Sequence, residues 1–350
     1  MVIVLYAAPL FKKPLDRSNI FIVQTIFSLA KQDPNNQLHL IVEKGQEQGY
    51  QLPPNCQFIS ARTNNPLLKK IWWNVKLPRL LRKIEAAVFI SFDDRCSLNA
   101  AIPQCLVTGG STKPAKKYVT KASLVFTSSQ YEKKQLKERT NNFDEKIKVV
   151  YQGVTGHGLL IDNKELEGTK KQYCDGKEFF FYNSSFDLNE HFIDLLKSFS
   201  LFKKRQQSSM KLLLLSKSNS FFEKSMASYK YREDVRFIDS ADENENSKIT
   251  AAAYAVVLPF NSKNDMSSAF LAMQVNVPVI ISTNSPVHEI SDDAALFSES
   301  VKETADRMMQ LYTNETFRSE LIEKGKSIAS GFTIEKTAEL WWRSIKQFLH

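Results

Sequence analysis

Short apolar runs alternate with longer amphipathic segments along the whole chain. Runs such as Val2–Ala8 and Leu124–Thr127 are continuous and contain β-branched residues, which is typical of strands buried on both faces of a parallel sheet. Ile20–Lys31 instead carries apolar residues at helical spacing, and the Asp-Pro-Asn sequence at 33–35 ends that helix. The alternation of the two patterns predicts βαβ units and a mostly parallel sheet.

The alternation stops once, between Gly153 and Gly176. Glycines at 153, 156, 158 and 168 and a polar segment at 163–171 show no periodicity, so we expect a linker there. Before it, the predicted strands are Val2–Ala8, Leu38–Glu43, Gln57–Ser60, Ala87–Ser91, Gln104–Val107, Leu124–Thr127 and Lys148–Tyr151, and the predicted helices are Ile20–Lys31, Leu67–Ile84 and Gln130–Thr140. After it, the predicted strands are Phe179–Tyr182, Lys211–Ser216, Val235–Ile238, Ala255–Pro259 and Val279–Ser282, and the predicted helices are His191–Lys204, Phe221–Tyr229, Ser247–Ala253, Ser267–Val275, Val301–Tyr312, Glu315–Ala329 and Ile334–Leu349.

Two series of this kind predict two doubly wound, Rossmann-like α/β domains that face a central cleft. We expect a first domain at 1–155 and a second domain at 156–333. The helix at 334–350 is expected to pack back on the first domain. In open α/β sheets ligands bind outside the carboxyl ends of the strands, so the sequence predicts a ligand cleft between the domains.

Composition narrows the class of protein. The hydrophobic fraction of 43% and charged fraction of 24% are those of an ordinary globular protein and exclude a disordered or fibrous chain. The net charge of +9 indicates an anionic partner only weakly. Cysteines at 56, 96, 105 and 174 have no C-x-x-C spacing, so they predict free thiols in a reducing compartment, the cytoplasm. The amino terminus lacks a signal-peptide pattern, and no apolar run reaches the ~18 residues of a membrane span.

Three segments of the chain resemble GT-B glycosyltransferases of the "group 1" type, also called family four. Lys121–Tyr131 resembles a segment of their first domain, and Glu145–Val154 resembles their crossover into the second domain. Leu258-Pro259, Ala272-Met273 and Val277–Ile280, followed by Glu289, resemble their donor-site block. The resemblance implies a protein that transfers a sugar from a nucleotide-sugar donor to a glycan or lipid-linked acceptor in surface glycan or polysaccharide synthesis. It implies no cofactor and no metal.

The same resemblance shows which donor-site residues this chain has replaced. Family members meet the charge of the leaving diphosphate with an Arg and a Lys, whose places fall at Ser185 and Glu190. Two family glutamates fall at Lys263 and Leu271, and a glycine-rich loop is replaced by Asn264–Ser267. Leucine cannot hydrogen-bond a ribose, and Glu190 would repel a diphosphate by about 4 kcal/mol per charge pair at ~4 Å. The donor-binding candidates are Ser184, Ser185, Glu190, Lys217, Phe237, Lys263, Ser267, Ser268 and Glu289.

The first domain departs from the family in the same way. Its glycine turn is replaced by Asp16–Asn19, and its His-Asp pair is replaced by Thr108-Gly109. Two hypotheses follow: an active glycosyltransferase, and a degenerate member that binds a glycan or acts as a scaffold for a partner.

The candidate site residues of the first domain are Arg17, Asp93, Thr108 and Gly109. Asp93 belongs to an Asp-Asp-Arg sequence, which fits a role in binding a metal or a sugar hydroxyl, or a structural role as a loop cap.

The segment Leu67–Lys83 is basic and contains Trp72 and Trp73. One interpretation is a peripheral membrane contact, in which an interfacial helix meets anionic lipid or a lipid-linked acceptor. The other is an ordinary surface helix whose apolar face packs on the first domain. No other basic stripe with interleaved aromatics occurs, so we expect no nucleic-acid partner.

Overall fold

The computed structural model divides the chain into two compact units. The first comprises Met1–Gly153 and Ile334–His350, and the second comprises Val154–Thr333. The structure describes residues 1–12, 17–61, 66–108, 114–140, 144–154, 161–183, 191–216, 219–239, 242–259, 266–291 and 293–349.

The first unit is built on a parallel sheet of seven strands in the order β3-β2-β1-β4-β5-β6-β7. Most of these strands are four to seven residues long and almost wholly buried, as their continuous apolar sequences predict. The strands are β1 (Val2–Tyr6), β2 (Gln37–Glu43), β3 (Cys56–Ala61), β4 (Ala86–Ser91), β5 (Gln104–Val107), β6 (Leu124–Thr127) and β7 (Ile147–Val149). The helices are α1 (Arg17–Gln32), α2 (Pro66–Ile71), α3 (Leu77–Lys83), α4 (Lys116–Lys121), α5 (Gln130–Thr140) and α13 (Ile334–Leu349).

The second unit repeats the arrangement with six parallel strands in the order β10-β9-β8-β11-β12-β13. The prediction of two parallel α/β sheets is therefore confirmed. The strands are β8 (Phe179–Tyr182), β9 (Lys211–Leu215), β10 (Val235–Ile238), β11 (Ala255–Leu258), β12 (Val279–Ser282) and β13 (Leu296–Ser298). The helices are α6 (Asn163–Cys174), α7 (Phe192–Arg205), α8 (Ser220–Ala227), α9 (Glu243–Ala252), α10 (Met266–Gln274), α11 (Val301–Thr313) and α12 (Glu315–Ala329).

The prediction of an unstructured linker at 153–176 is wrong for its second half, which forms α6. Asp162 caps this helix, because its side chain accepts a hydrogen bond from the backbone N–H of Glu165. The helix ends at Asp175, which adopts a left-handed conformation with φ 56°. Among its described residues only Thr169 and Cys174 are buried, and this sparse apolar face explains why periodicity missed it.

The carboxyl-terminal helix α13 belongs to the first unit. Trp341 is 5% exposed, and its ring lies 5.8 Å from that of Phe92 and 6.2 Å from that of Phe126. Trp342 is also buried in this core, which covers one face of the first sheet. Both tryptophans are therefore packing residues of the first unit.

A π-helical segment, Trp72–Lys76, joins α2 to α3. In it the N–H of Leu77 donates to the carbonyl of Trp72, five residues earlier. The wider turn places both Trp72 and Trp73 against the sheet, where their rings lie 5.5 and 4.8 Å from that of Tyr6. These tryptophans are therefore core residues of the first unit and do not reach a membrane or a ligand.

Candidate functional site

Polar residues follow the strands of the second sheet where they end. Asn183 follows β8, Ser216 follows β9, and Ser282 is the last residue of β12. Because parallel strands end at one edge, these residues mark the carboxyl edge of the sheet, where α/β proteins bind their ligands. Helix α10 begins shortly after β11 at the same edge.

The amino end of α10 presents two serines. Ser267 is 4% exposed and Ser268 is 1% exposed. The first N–H groups of a helix have no acceptor within the helix, and the helix dipole adds partial positive charge there, so this end favours an anion. At the other end, Asn276 adopts a left-handed conformation with φ 64°, and the N–H of Val277 donates to the carbonyl of Ala272 over 2.8 Å.

Leu271 is fully buried on α10, at the position where the resemblance expects the second glutamate. All residues from Met266 to Met273 are buried, so this helix lies within the core of the unit. Its neighbour α12 approaches closely, since a Cβ on Gly325 would lie 3.1 Å from Cγ of Met273. Leu271 therefore contributes packing and offers no group to a ribose.

Buried uncharged polar groups lie at the end of β8. Asn183 is 1% exposed, and its Nδ2 donates to Oγ1 of Thr250 over 3.3 Å. That hydroxyl in turn donates to the carbonyl of Asn246 over 2.7 Å. The side chain of Asn246 is fully buried, and neither its Nδ2 nor its Oδ1 has a partner among the described residues. This cluster could not be predicted from the sequence, because a single asparagine in an amphipathic helix is more often exposed.

Phe237, a predicted donor-binding residue, belongs to an aromatic cluster. Its half-buried ring stacks on that of Phe222 at 5.6 Å and lies 6.0 Å from that of Phe192. The ring thus packs β10 against α7 and α8. Its remaining exposed surface is the part that a ligand could contact.

Glu289 is exposed at the end of a 3₁₀ turn, Pro286–Glu289, that follows β12. The turn is held by Ser285, whose hydroxyl accepts from the N–H of Val287 over 3.3 Å. The hydroxyl of Ser291 donates to the carbonyl of Val287 over 2.8 Å. These bonds fix the backbone beside Glu289 and place a carboxylate on the carboxyl edge of the second sheet.

In the first unit, Thr108 has a structural role. It is 8% exposed, its N–H donates to the carbonyl of Phe126 over 2.9 Å, and its hydroxyl donates to the same carbonyl over 3.0 Å. The hydroxyl is therefore used to extend the pairing of β5 with β6. Of Arg17, the other predicted residue near this edge, the structure describes only the backbone, at the start of α1.

Asp93 and Asp94 form a carboxyl pair directly after β4. Oδ1 of Asp93 accepts from the N–H of Asp94 over 2.7 Å, and Oδ2 lies 3.3 Å from Nζ of Lys69. Nε of Arg95 lies 3.5 Å from Oδ1 of Asp94. This geometry supports the loop-cap interpretation of Asp93, and it holds α2 to the end of β4 through Lys69.

The pKa values of the two carboxyl groups shift in opposite directions. Burial opposes ionisation of Asp93, but hydrogen bonds from Asp94 and Lys69 and the charges of Lys69 and Arg95 outweigh it and lower the pKa of Asp93. The hydrogen bond with Asp93, burial and the charge of Asp93 raise the pKa of Asp94 to about 6. A carboxyl that titrates near 6 can accept or donate a proton close to neutral pH.

Six predicted residues lie outside the described part of the chain: Ser184, Ser185, Glu190, Lys217, Lys263 and Gly109. His191 begins α7 and makes no side-chain cap bond there. Within the described ranges, no group of three or more His, Cys, Asp or Glu could hold a metal ion. The four cysteines are free thiols, as predicted, and burial raises the pKa of Cys105 to about 12.

Comparison with known families finds a match in the second unit. Residues 163–328 match the family model "Glycosyl transferases group 1". Over these residues the second unit is similar to the group 1 glycosyltransferases. The match spans α6 through most of α12 and so includes the carboxyl edge described above.

Solved structures show the same fold over the whole chain. A glycosyltransferase from Rickettsia africae ESF-5 aligns with a TM-score of 0.78 at 12% identity, over 99% of this chain and 98% of that one. HepE from Anabaena, solved with UDP and glucose, aligns with a TM-score of 0.74 at 11% identity, over 99% and 100%. WaaG, a glycosyltransferase involved in lipopolysaccharide biosynthesis, aligns with a TM-score of 0.72 at 11% identity, over 99% and 99%. No curated protein sequence matches the chain.

The predicted GT-B fold is therefore confirmed. No helix among the described residues is long and apolar enough to cross a membrane.

Proposed function

We propose that this protein is a GT-B glycosyltransferase that takes a nucleotide-sugar donor and serves surface glycan or polysaccharide synthesis. One observation carries the proposal: the amino end of α10, with Ser267 and Ser268, follows β11 at the carboxyl edge of the sheet, within the residues that match the group 1 family model. HepE, which shares the fold, was solved with UDP and glucose, and WaaG acts in lipopolysaccharide biosynthesis. The free thiols favour the cytoplasm as the place of reaction.

In this proposal the helix end receives the diphosphate. The bond between the sugar and the diphosphate oxygen breaks, and its electron pair goes to that oxygen. The acceptor hydroxyl forms the new glycosidic bond and passes its proton to the departing diphosphate. The N–H groups and hydroxyls of Ser267 and Ser268 stabilise the charge that develops on the leaving group. Lys263 supplies a cation and Ser185 replaces a family cation.

A second candidate function is favoured by Leu271. Its complete burial removes the carboxylate that would hold a ribose, and the end of β8 offers the amide of Asn183 and the hydroxyl of Thr250. A chain with this site would bind a glycan or a partner transferase without transferring sugar. A protein can keep its fold after the residues that carried its catalytic chemistry have been replaced.

Calorimetric titration of the purified chain with UDP, GDP and ADP separates the two candidates. Binding of one nucleoside diphosphate, followed by sugar transfer from the corresponding nucleotide sugar, supports the first. Absence of heat with all three, from a protein that unfolds cooperatively, supports the second.

A variant tests the place of binding. Ser267→Ala removes one hydroxyl bond to the diphosphate and should weaken binding about tenfold. Ser225→Ala is the matched control, because the hydroxyl of that half-buried serine donates to the carbonyl of Phe221 within α8. Equal affinities of the two variants would argue against binding at α10.

A further inference from the structure

The net positive charge of this chain lies in the first unit alone. The first unit holds 26 Lys and Arg and 13 Asp and Glu, so its formal charge is 26 − 13, or +13. The second unit holds 21 Lys and Arg and 25 Asp and Glu, so its formal charge is 21 − 25, or −4. The whole-chain value of +9 therefore conceals a strongly basic unit, which favours an anionic partner for that unit alone.

The exposed side of α2, the π-helical segment and α3 concentrates this charge. Glu85, just beyond α3, is the only acidic residue between 66 and 85. This side carries five exposed cations: Lys70, Lys76, Arg79, Arg82 and Lys83. None of the five forms an ion pair with a described residue, whereas Lys69 is paired with Asp93.

Exposed aliphatic side chains lie among these cations. Ile71 is 50% exposed and Val75 is 38% exposed, one helical turn apart on the same side of the helix. The side chain of Asn99 donates to the carbonyl of Asn74 over 2.9 Å, which brings Leu98, itself 39% exposed, next to this side. We call this surface the basic face: Lys70, Ile71, Val75, Lys76, Arg79, Arg82, Lys83 and Leu98.

We propose that the basic face docks the first unit on an anionic lipid surface. Cations alone would suit any polyanion, but aliphatic side chains gain free energy only where the partner has an apolar layer beneath its charges. Nucleic acid is read by aromatic stacking and basic side chains, and the aromatic residues of this segment are buried against the sheet. The aliphatic residues thus take the interfacial role that the sequence suggested for Trp72 and Trp73. This docking does not depend on donor binding.

Flotation of the full-length chain with vesicles tests the proposal. Phosphatidylcholine vesicles with 30% phosphatidylglycerol should carry the protein, pure phosphatidylcholine vesicles should not, and binding should weaken with rising salt. Absence of binding to the anionic vesicles at low salt, or equal binding to both kinds, would overturn it.

Matched variants locate the contact. Replacing Lys76, Arg79, Arg82 and Lys83 with Gln should reduce binding by roughly 600-fold, since each cation near an anionic membrane contributes roughly fivefold. The control replaces four other exposed lysines of the first unit, Lys116, Lys117, Lys121 and Lys134, with Gln and so removes the same charge. An equal loss in the control would overturn the proposal, because net charge alone would then explain binding.

The aliphatic contribution is tested separately. Ile71→Ser, Val75→Ser and Leu98→Ser together leave the charge unchanged and should reduce vesicle binding about tenfold or more. Equal vesicle binding by the triple variant and the native chain would overturn the aliphatic contact with lipid. Binding of the native chain to a double-stranded DNA oligonucleotide is measured at the same salt concentration. Tighter binding to the DNA than to the anionic vesicles would show that the partner is not a lipid surface.

Discussion

Asn99 satisfies the carbonyl of Asn74 with a side-chain hydrogen bond of 2.9 Å. The carbonyl needs this partner because residue 78, four positions later, is a proline and has no N–H to donate. The bond ties the loop after β4 to the helix that carries the basic face. A break in regular helical bonding is thereby turned into a contact between two elements of the first unit.

Asn99→Ala should destabilise the first unit by about 0.5–1 kcal/mol, because it leaves the carbonyl of Asn74 to water. Chemical denaturation monitored by tryptophan fluorescence measures the change, since Trp72 and Trp73 belong to the same π-helical segment as Asn74. Leu98→Ala is the control and should leave stability unchanged, as its side chain is exposed. Equal effects of the two variants would show that the hydrogen bond contributes nothing.

Leu271→Glu should destabilise the second unit by several kcal/mol, because it places a carboxylate in an apolar core. Leu271→Met, which conserves volume, should lose less than about 1.5 kcal/mol. Urea denaturation gives both values, and titration with UDP gives the functional result. A stable Leu271→Glu protein that binds UDP more tightly than the native chain would contradict the assignment of this position to the core.

The carboxyl pair predicts a pH dependence of stability. Since the pKa of Asp94 is raised to about 6, the folded chain holds this proton more tightly than the unfolded chain. The contribution of Asp94 to stability is therefore present below pH ~4 and lost as the pH rises through 6. Partial exposure of Asp94 limits the effect to about 1 kcal/mol.

Denaturation midpoints of Asp94→Asn between pH 4 and 8 check this sign. The variant should gain stability over the native chain at pH 8 and match it near pH 4. Asp93→Asn should behave oppositely at neutral pH, because it breaks the contact with Lys69. Parallel midpoint curves for the native chain and Asp94→Asn across this range would contradict the prediction.

Trp341→Ala should destabilise the first unit by about 3–5 kcal/mol, the usual loss for a large buried ring. Its contacts with Phe92 and Phe126 lie in the core beneath α13. Leu340→Ala, at an exposed neighbour on the same helix, is the control. Calorimetric unfolding should show the effect in the transition of the first unit. A loss confined to the second unit would show that α13 belongs to it.

Most strands were predictable because buried parallel strands are continuous apolar runs with polar boundaries. The bounds of β5, β6, β8, β10 and β12 agree with the pattern at both ends. Elements with little apolar surface escaped prediction. Strand β13 has three residues, and α4 buries only Val119 among its described residues.

The candidate site was predictable only where a residue's type decides its role. Leu271 can make no hydrogen bond, whatever its surroundings, and its burial agrees with that. Asn246 could not be found from the sequence, because burial without a partner depends on which side of α9 meets the sheet. The aliphatic residues of the basic face also required the structure, since only the π-helical segment turns the two tryptophans inward.

The second unit begins and ends at adjacent points. Val154 and Thr333 form a parallel bridge, and the N–H of Val154 donates to the carbonyl of Phe332 over 3.1 Å. Everything between these residues is one uninterrupted segment, whereas the first unit needs the last helix of the chain for its core. During synthesis on the ribosome, all residues of the second unit are therefore available before the first unit is complete, since the core of the first unit lacks α13 until that helix emerges.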